Sequence, residues 1–450
     1  MQPEHLHFGG GSSGTILHPV VAVGMLVAIV LIFVLPREKA IAPFLLAYFT
    51  IPVVQVLVLG GVHLTMHQIL IFAVLARMAA YSGKEGRFGG GFNALDRLAV
   101  VWALSGFIIF STQWMEMQAT VKSLGDLVIT LGGYLAARFL IPDHAALRRT
   151  IKVLALICLI QGLCMVSEQF TGQNVFHFAG GQWPDYRNGH IRAQGSMGSL
   201  YGGPMAGILI PLFLWLWTEA KSGLAASAGI AGATAMVFAS HASTSWMAYA
   251  GALLGVAFWP LRKQMRLIRW GIVFTLVGLH LVMHGPVWSL IEKIDLIGGS
   301  SSYHRYMLVD NCIRHFSDWW LIGYRYYGSW GFDMWDLCNQ FVATALGGGL
   351  VTLVLFIMLY SRSFGLIGRA RKQVEGDRHR EWPLWCLGSA LLAYVVASFG
   401  INYMVYLTMC FLTLLACVSV ATLQAKRPAE VKVEIMHDLH PASVPHLAGA

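Results

Sequence analysis

Apolar runs broken by short polar segments recur along the whole chain. They begin near Ile16, Ile41, Leu64, Leu98, Ala119, Ile151, Gly203, Leu224, Thr244, Arg269, Phe341, Glu381 and Asn402. A helix needs about 20 apolar residues to cross a bilayer core, and in hydrocarbon a helix satisfies its own backbone. The pattern therefore predicts an all-α, polytopic membrane protein with about 12 to 13 transmembrane helices. Residues 1–450 read as a single membrane domain. The fourth and fifth runs nearly meet at Gln118 and the eighth and ninth at His241, which leaves the count between those two values.

Two interruptions, residues 169–204 and 285–340, are far longer than the two- to eight-residue connections usual between packed helices. In the second, Val287, Leu290, Ile291, Ile294 and Ile297 have helical spacing, with Glu292, Lys293 and Asp295 opposite. That spacing predicts an interfacial amphipathic helix, broken by Gly298-Gly299. Tyr303–Leu321 has helical spacing again and sets His304, Leu308, Asn311 and His315 on one face, beside Arg305 and Cys312. Asp310 and Arg314 stand four apart, as an ion pair requires. Residues 425–450 are polar with three prolines and read as a flexible tail.

Composition agrees with the pattern. The chain is 56% hydrophobic and 12% charged, against roughly 25% charged residues in soluble domains. A soluble class is excluded. With the N-terminus outside, 22 of the 31 basic residues fall in inward loops and the tail, seven fall in outward loops, and Arg77 and Arg138 sit at inward helix ends. Under the positive-inside rule this makes both long loops, and the surface they share, face outward. The charge of +9 is thus membrane topology and not a nucleic-acid footprint. Residues 1–15 hold no Lys or Arg, so no cleavable signal peptide is expected. Of seven cysteines, only Cys312 and Cys338 lie in the polar loop. Two free thiols are expected there, a bridge being the alternative in an oxidising compartment.

The outward loops hold the candidate chemistry. Arg192 and Arg305, one on each loop, suit bidentate contact with phosphate oxygens at membrane depth. The competing reading is that each snorkels to headgroups or pairs with an acid. His304, His315, His190 and Asp336 are candidate general bases. No His, Cys or acidic residues have the spacing of a zinc or magnesium site. Trp319, Trp320 and Tyr324 belong to an aromatic run that suits sugar stacking or a headgroup belt. Glu116 and Glu168 read as acids near outer helix ends. No span carries the buried charge series of an ion-coupled carrier.

Several segments together resemble a known family. A glutamate-bearing span leads into Gly172-Gln173-Asn174, then Arg192-Ala193-Gln194-Gly195-Ser196-Met197 and Leu209-Ile210-Pro211-Leu212. The second loop carries His304-Arg305, Arg314-His315-Phe316-Ser317-Asp318-Trp319-Trp320-Leu321-Ile322-Gly323 and Asp336-Leu337-Cys338-Asn339 before a Gly-Gly-Gly-Leu-Val span. Over residues 160–361 this resembles the O-antigen ligase and polysaccharide polymerase superfamily of bacterial inner-membrane glycosyltransferases. The resemblance implies a multi-pass inner-membrane enzyme without metal or other cofactor. It would pass a glycan from undecaprenyl diphosphate, with inversion, to an acceptor saccharide or glycolipid at the periplasmic face. Membrane lipids and other polysaccharide export proteins are its implied partners. Arg192 and Arg305 match the diphosphate-binding arginines and His315 the loop histidine, with Phe316 in place of proline; Asn339, Trp319, Trp320 and Tyr324 become substrate-contacting candidates. Cys338 stands where many members carry histidine, so the base stays open among His304, His315 and Asp336. Polymerase, ligase and lipid-linked glycan flippase are the functions to be separated, with a non-catalytic export scaffold behind them.

Overall fold

The computed structural model describes residues 14–424 apart from 84–85, 188, 220–221 and 294–301. The predicted flexible tail lies outside the described residues. Two helices, α1 (Pro19–Val34) and α2 (Ile41–Thr50), lead into a hairpin of β1 (Val56–Leu59) and β2 (Val62–Thr65). Next come α3 (Met66–Ala80), α4 (Ala94–Trp114), α5 (Met117–Leu127), α6 (Gly133–Leu140) and α7 (His144–Thr171), with α5 and α6 joined through a π-helical turn. A hairpin of β3 (Asp185–Arg187) and β4 (His190–Arg192) precedes α8 (Ser199–Thr218), α9 (Gly223–Ser240), α10 (Ser243–Ala257) and α11 (Met265–Val282). The short α12 (Ser302–Arg314) and α13 (Phe316–Trp319) occupy the second long loop. Then α14 (Gln340–Gln373), α15 (Arg378–Ser398) and α16 (Val405–Gln424) complete the chain.

All thirteen apolar runs contain a helix, and among the described residues eight helices are long and apolar enough to cross a membrane. The arrangement is a mostly helical, polytopic bundle. It departs from the expected 12 to 13 spans at the first, second, third, ninth and twelfth runs, whose helices are not among the eight, and most clearly at the second. Ten residues of α2 rise about 15 Å, half of a roughly 30 Å bilayer core. Pro52 ends the helix, since the residue before proline avoids α geometry, and Ile51 is extended. The rest of that run, Val56–Leu59, is a strand paired with Val62–Thr65 across Gly60-Gly61, both glycines at positive φ. A short apolar run cannot distinguish strand from helix by periodicity. The expectation of an all-α fold is corrected by these two small hairpins.

The centre of the bundle is α8, buried along nearly all its length and packed against α9, α10 and α15, with α7 behind α9. Small residues permit that closeness. A Cβ on Gly232 of α9 would stand 2.5 Å from the carbonyl oxygen of Cys158 on α7. By contrast α11 has no buried residue.

In the second long loop, the expected amphipathic helix is a 3-10 turn over Val287–Ile291, while Ile294, Ile297 and Gly298-Gly299 lie outside the described residues. The predicted helix over Tyr303–Leu321 breaks at His315 into α12 and α13. Asp310 and Arg314 form the expected pair at 2.7 Å. The loop is anchored in α14, which kinks at Gly349 (φ 63). The kink frees backbone groups inside an apolar helix, where each must find a partner. Leu346 O accepts from Tyr324 N at 2.9 Å and from Gln113 Nε2 at 3.0 Å, and Leu350 N donates to Trp320 O at 2.8 Å.

Ion pairs bring the basic connections together at one end of the bundle: Arg149 with Glu38, Arg148 with Glu219, and Arg262 and Arg371 with Glu381. Within the helices beside them, Arg138 is wholly buried. Its Nε donates to Asp96 Oδ1 at 2.8 Å, and Tyr134 Oη donates to the same oxygen at 2.6 Å. Removing one partner of a buried pair leaves an uncompensated charge, which costs about 3–5 kcal/mol. Arg138→Leu should therefore lower the thermal unfolding midpoint of detergent-solubilised protein sharply. An unchanged midpoint would show that the pair does not support the fold.

Candidate functional site

Both long loops contribute to one cavity of about 880 Å³ at the end of the bundle opposite the basic connections. The β3–β4 hairpin supplies Arg187, His190 and Arg192, α12 supplies His304 and Arg305, and the segment before α14 supplies Asp333, Asp336 and Cys338. Residues 242–244 at the start of α10 and 400–404 between α15 and α16 complete the wall.

Arg192 and Arg305 are 6% and 5% exposed, so both guanidinium groups are held almost out of solvent. Arg192 Nη1 lies 3.3 Å from Asp185 Oδ2, its register partner across the hairpin. Burial, then the neighbouring Arg187, push the Arg192 pKa down, and Asp185 pulls it back. Arg305 donates through Nη2 to Thr244 Oγ1 at 3.3 Å, and Met247 Sδ lies 3.9 Å from Nη1. Burial lifts the Cys338 thiol to about 11, with Arg305 nearby opposing the shift. Cys312 and Cys338 are both free, as expected.

His304 is held by a backbone contact. Its Nε2 lies 2.9 Å from the backbone oxygen of Asp336. A carbonyl oxygen can only accept, so Nε2 carries the proton and the neutral ring keeps its lone pair on Nδ1. His304, Asp333 and Asp336 each bring one ligand atom within 4.8 Å of the others, a set that can hold a divalent cation. Sequence spacing did not reveal this cluster because Asp333 lies 29 residues from His304 in the chain. A pair of imidazoles, His190 and His241, stacks at 4.9 Å with rings 5° apart. Burial, His190 and Arg192 all lower the His241 pKa, which favours its neutral form.

Other predicted residues lie outside this lining. His315 bonds Asp318 through Nδ1 at 3.2 Å and stacks on Trp330, whose other neighbour is Tyr324. Trp319 is buried and donates to Cys312 O at 2.7 Å. Trp320 is exposed, with its carbonyl bonded to Leu350 N. Asn339 caps α14, its Oδ1 accepting from Phe341 N and Val342 N. These five residues brace the loop against α14. Of the four candidate bases, the cavity brings together His304, Asp336 and His190 and leaves His315 apart.

No family model and no curated protein matches this chain.

The turn that follows Arg192 depends on residues with no site role in the sequence analysis. Glu168 looked like an acid at an inexpensive helix end, yet it is 0% exposed. Its two oxygens accept from Gln194 N at 2.8 Å and Gly195 N at 3.0 Å. Gln169 Nε2 donates to Ile191 O and Ala239 O, and Asn174 Nδ2 donates to Gly195 O and Gln182 O. Gln161 donates to Ser196 Oγ at 2.7 Å. Gly195 has φ 56, where a side chain is strained, and a Cβ there would stand 2.8 Å from Gln161 Oε1, which would have to shift. The signal in the sequence is Gln161 and Glu168, seven apart and so on one face of α7. Glu168→Ala should leave two buried N–H groups unsatisfied, at about 1–3 kcal/mol each. Faster amide exchange at Gln194 and Gly195 is the expected readout; unchanged protection there would mean that Glu168 does not hold the turn.

Proposed function

We propose that the protein transfers a saccharide from undecaprenyl diphosphate to a hydroxyl of an acceptor saccharide at the outer face of a bacterial inner membrane. Its most direct use would be polymerising repeat units of an exopolysaccharide or O-antigen. One observation carries the reading. Arg192 and Arg305, from two separate loops, are both nearly solvent-free on the wall of one cavity that also holds His304. Buried guanidinium groups suit a diphosphate, whose oxygens they meet as bidentate, charge-assisted acceptors. The cavity also has apolar wall from Leu200, Ile401 and Met404, with Leu200 and Met404 exposed. A prenyl chain can lie against such a surface.

In this mechanism, His304 Nδ1 takes the proton of the acceptor hydroxyl as its oxygen attacks the anomeric carbon. The bond from that carbon to the diphosphate oxygen breaks, and the diphosphate leaves with the electron pair. Arg192 and Arg305, with Arg187 at the rim, meet the charge that develops on the leaving oxygen. Attack from the face opposite the leaving group inverts the anomeric centre. The base role requires the His304 lone pair to be free, whereas a divalent cation at His304, Asp333 and Asp336 would occupy it. The reaction should accordingly run at full rate in EDTA. Loss of activity in EDTA that magnesium restores would reassign these three residues to a metal.

In a deletion strain complemented with variants, Arg192→Ala and Arg305→Ala should abolish polymer at unchanged protein level. His304→Gln should slow transfer about 10²- to 10⁴-fold, the usual range for a general base. His315→Ala should stay near the wild-type rate. Wild-type yields from both arginine variants would remove the basis for the site. Single lipid-linked repeat units accumulating on the periplasmic side would support the transferase, and accumulation on the cytoplasmic side would identify a flippase. Lost exopolysaccharide with intact lipopolysaccharide banding would mark a polymerase rather than a ligase.

A further inference from the structure

A second polar cavity, of about 370 Å³, lies at the opposite end of the bundle among the basic connections. Its polar wall is His144 and Arg148 from the first turns of α7, Glu219 at the end of α8, and His379 and Arg380 from the first turn of α15. Its apolar wall is Val374, Pro383, Leu384 and Ala421. Among the described residues, the carboxylates near it are committed. Glu219 accepts from Arg148 at 2.8 Å and from Trp215 Nε1 at 3.1 Å. Asp143 caps α7 through Ala146 N, and Asp377 caps α15 through His379 N and Arg380 N. Arg380 is exposed and forms no ion pair among the described residues. It also stands in the first turn of a 21-residue helix, where the dipole disfavours a cation. An anion would relieve that placement.

We infer that this cavity binds the phosphate of an anionic phospholipid, with Arg380 and Arg148 on the phosphate. A phosphate group is the shared chemistry of a lipid headgroup and a soluble anion. The site's place among the basic connections at one end of a membrane-spanning bundle favours the lipid. Basic pockets between spans are a recurrent way to hold anionic headgroups. This site is independent of the transferase reading.

The test uses the full chain reconstituted in nanodiscs of equimolar phosphatidylglycerol and phosphatidylcholine. Lipid that stays bound after detergent extraction is read by native mass spectrometry. Wild-type protein is expected to retain phosphatidylglycerol over phosphatidylcholine, and Arg380→Gln to reduce that preference about tenfold, the factor for one charge-assisted contact. Arg369→Gln removes an exposed charge outside this cavity and should leave the preference intact. Arg380→Lys, keeping the charge, should retain most of it and covers the case in which the glutamine variant fails to fold. Equal retention of the two lipids by wild type, or equal losses from the Arg380 and Arg369 glutamine variants, would overturn the site. Displacement of phosphatidylglycerol by millimolar inorganic phosphate alone would overturn the lipid as its occupant.

Discussion

A polar group inside a hydrocarbon-facing bundle has no water to fall back on, and the architecture is organised by how each such group finds a protein partner. Glu168 is the clearest instance. Its carboxylate is fully buried, and two backbone N–H groups of the turn after Arg192 satisfy it. The same need operates at the Gly349 kink, where backbone from the second long loop bonds the groups that α14 releases. One long loop is therefore held by a side chain of α7 and the other by the backbone of α14. Both reach the same cavity because both are tied to the bundle, although neither has a substantial core of its own.

Hydropathy made most of the fold legible, because in a bilayer the apolar run and the helix are nearly the same object. It failed at α2 and β1, where proline and a Gly-Gly turn divide one apolar stretch into a half-length helix and a strand. Hydropathy reports what is apolar and is silent on how the backbone runs. The same silence explains Glu168. As a single acid near a helix end it carries little signal, and its burial depends on a turn that comes 26 residues later.

Within the loops, residue type was informative about charge and less so about the aromatic groups and histidines. Arg192 and Arg305 stand out in the sequence because a guanidinium on an outward loop suits phosphate oxygens, and both line the cavity. His315 stands out through a motif, yet its contacts are with Asp318 and Trp330 within the loop. Trp319 and Tyr324 also make ring contacts there. An aromatic ring serves equally as a wedge or as a sugar platform, and sequence cannot tell them apart. The Asp336 carbonyl that sets the tautomer of His304 is invisible to any reading by residue type, since every residue has one.

The burial of the arginines bears on how such a cavity would act on a diphosphate. Withdrawing Arg192 from water destabilises its charged form, as its lowered pKa records, and Arg187 adds to the effect. Guanidinium nevertheless remains protonated at any physiological pH. The result is a cation that has given up part of its hydration and has regained only part of it from Asp185 at 3.3 Å. A diphosphate entering the cavity would supply the missing partner in a medium where charges are poorly screened. More of that interaction would be realised as the leaving oxygen becomes negative than in the ground state, which is the condition for an interaction to accelerate a step. Arginines floating at the headgroup level would be solvated before and after the reaction alike, and would bind the substrate without favouring its transition state.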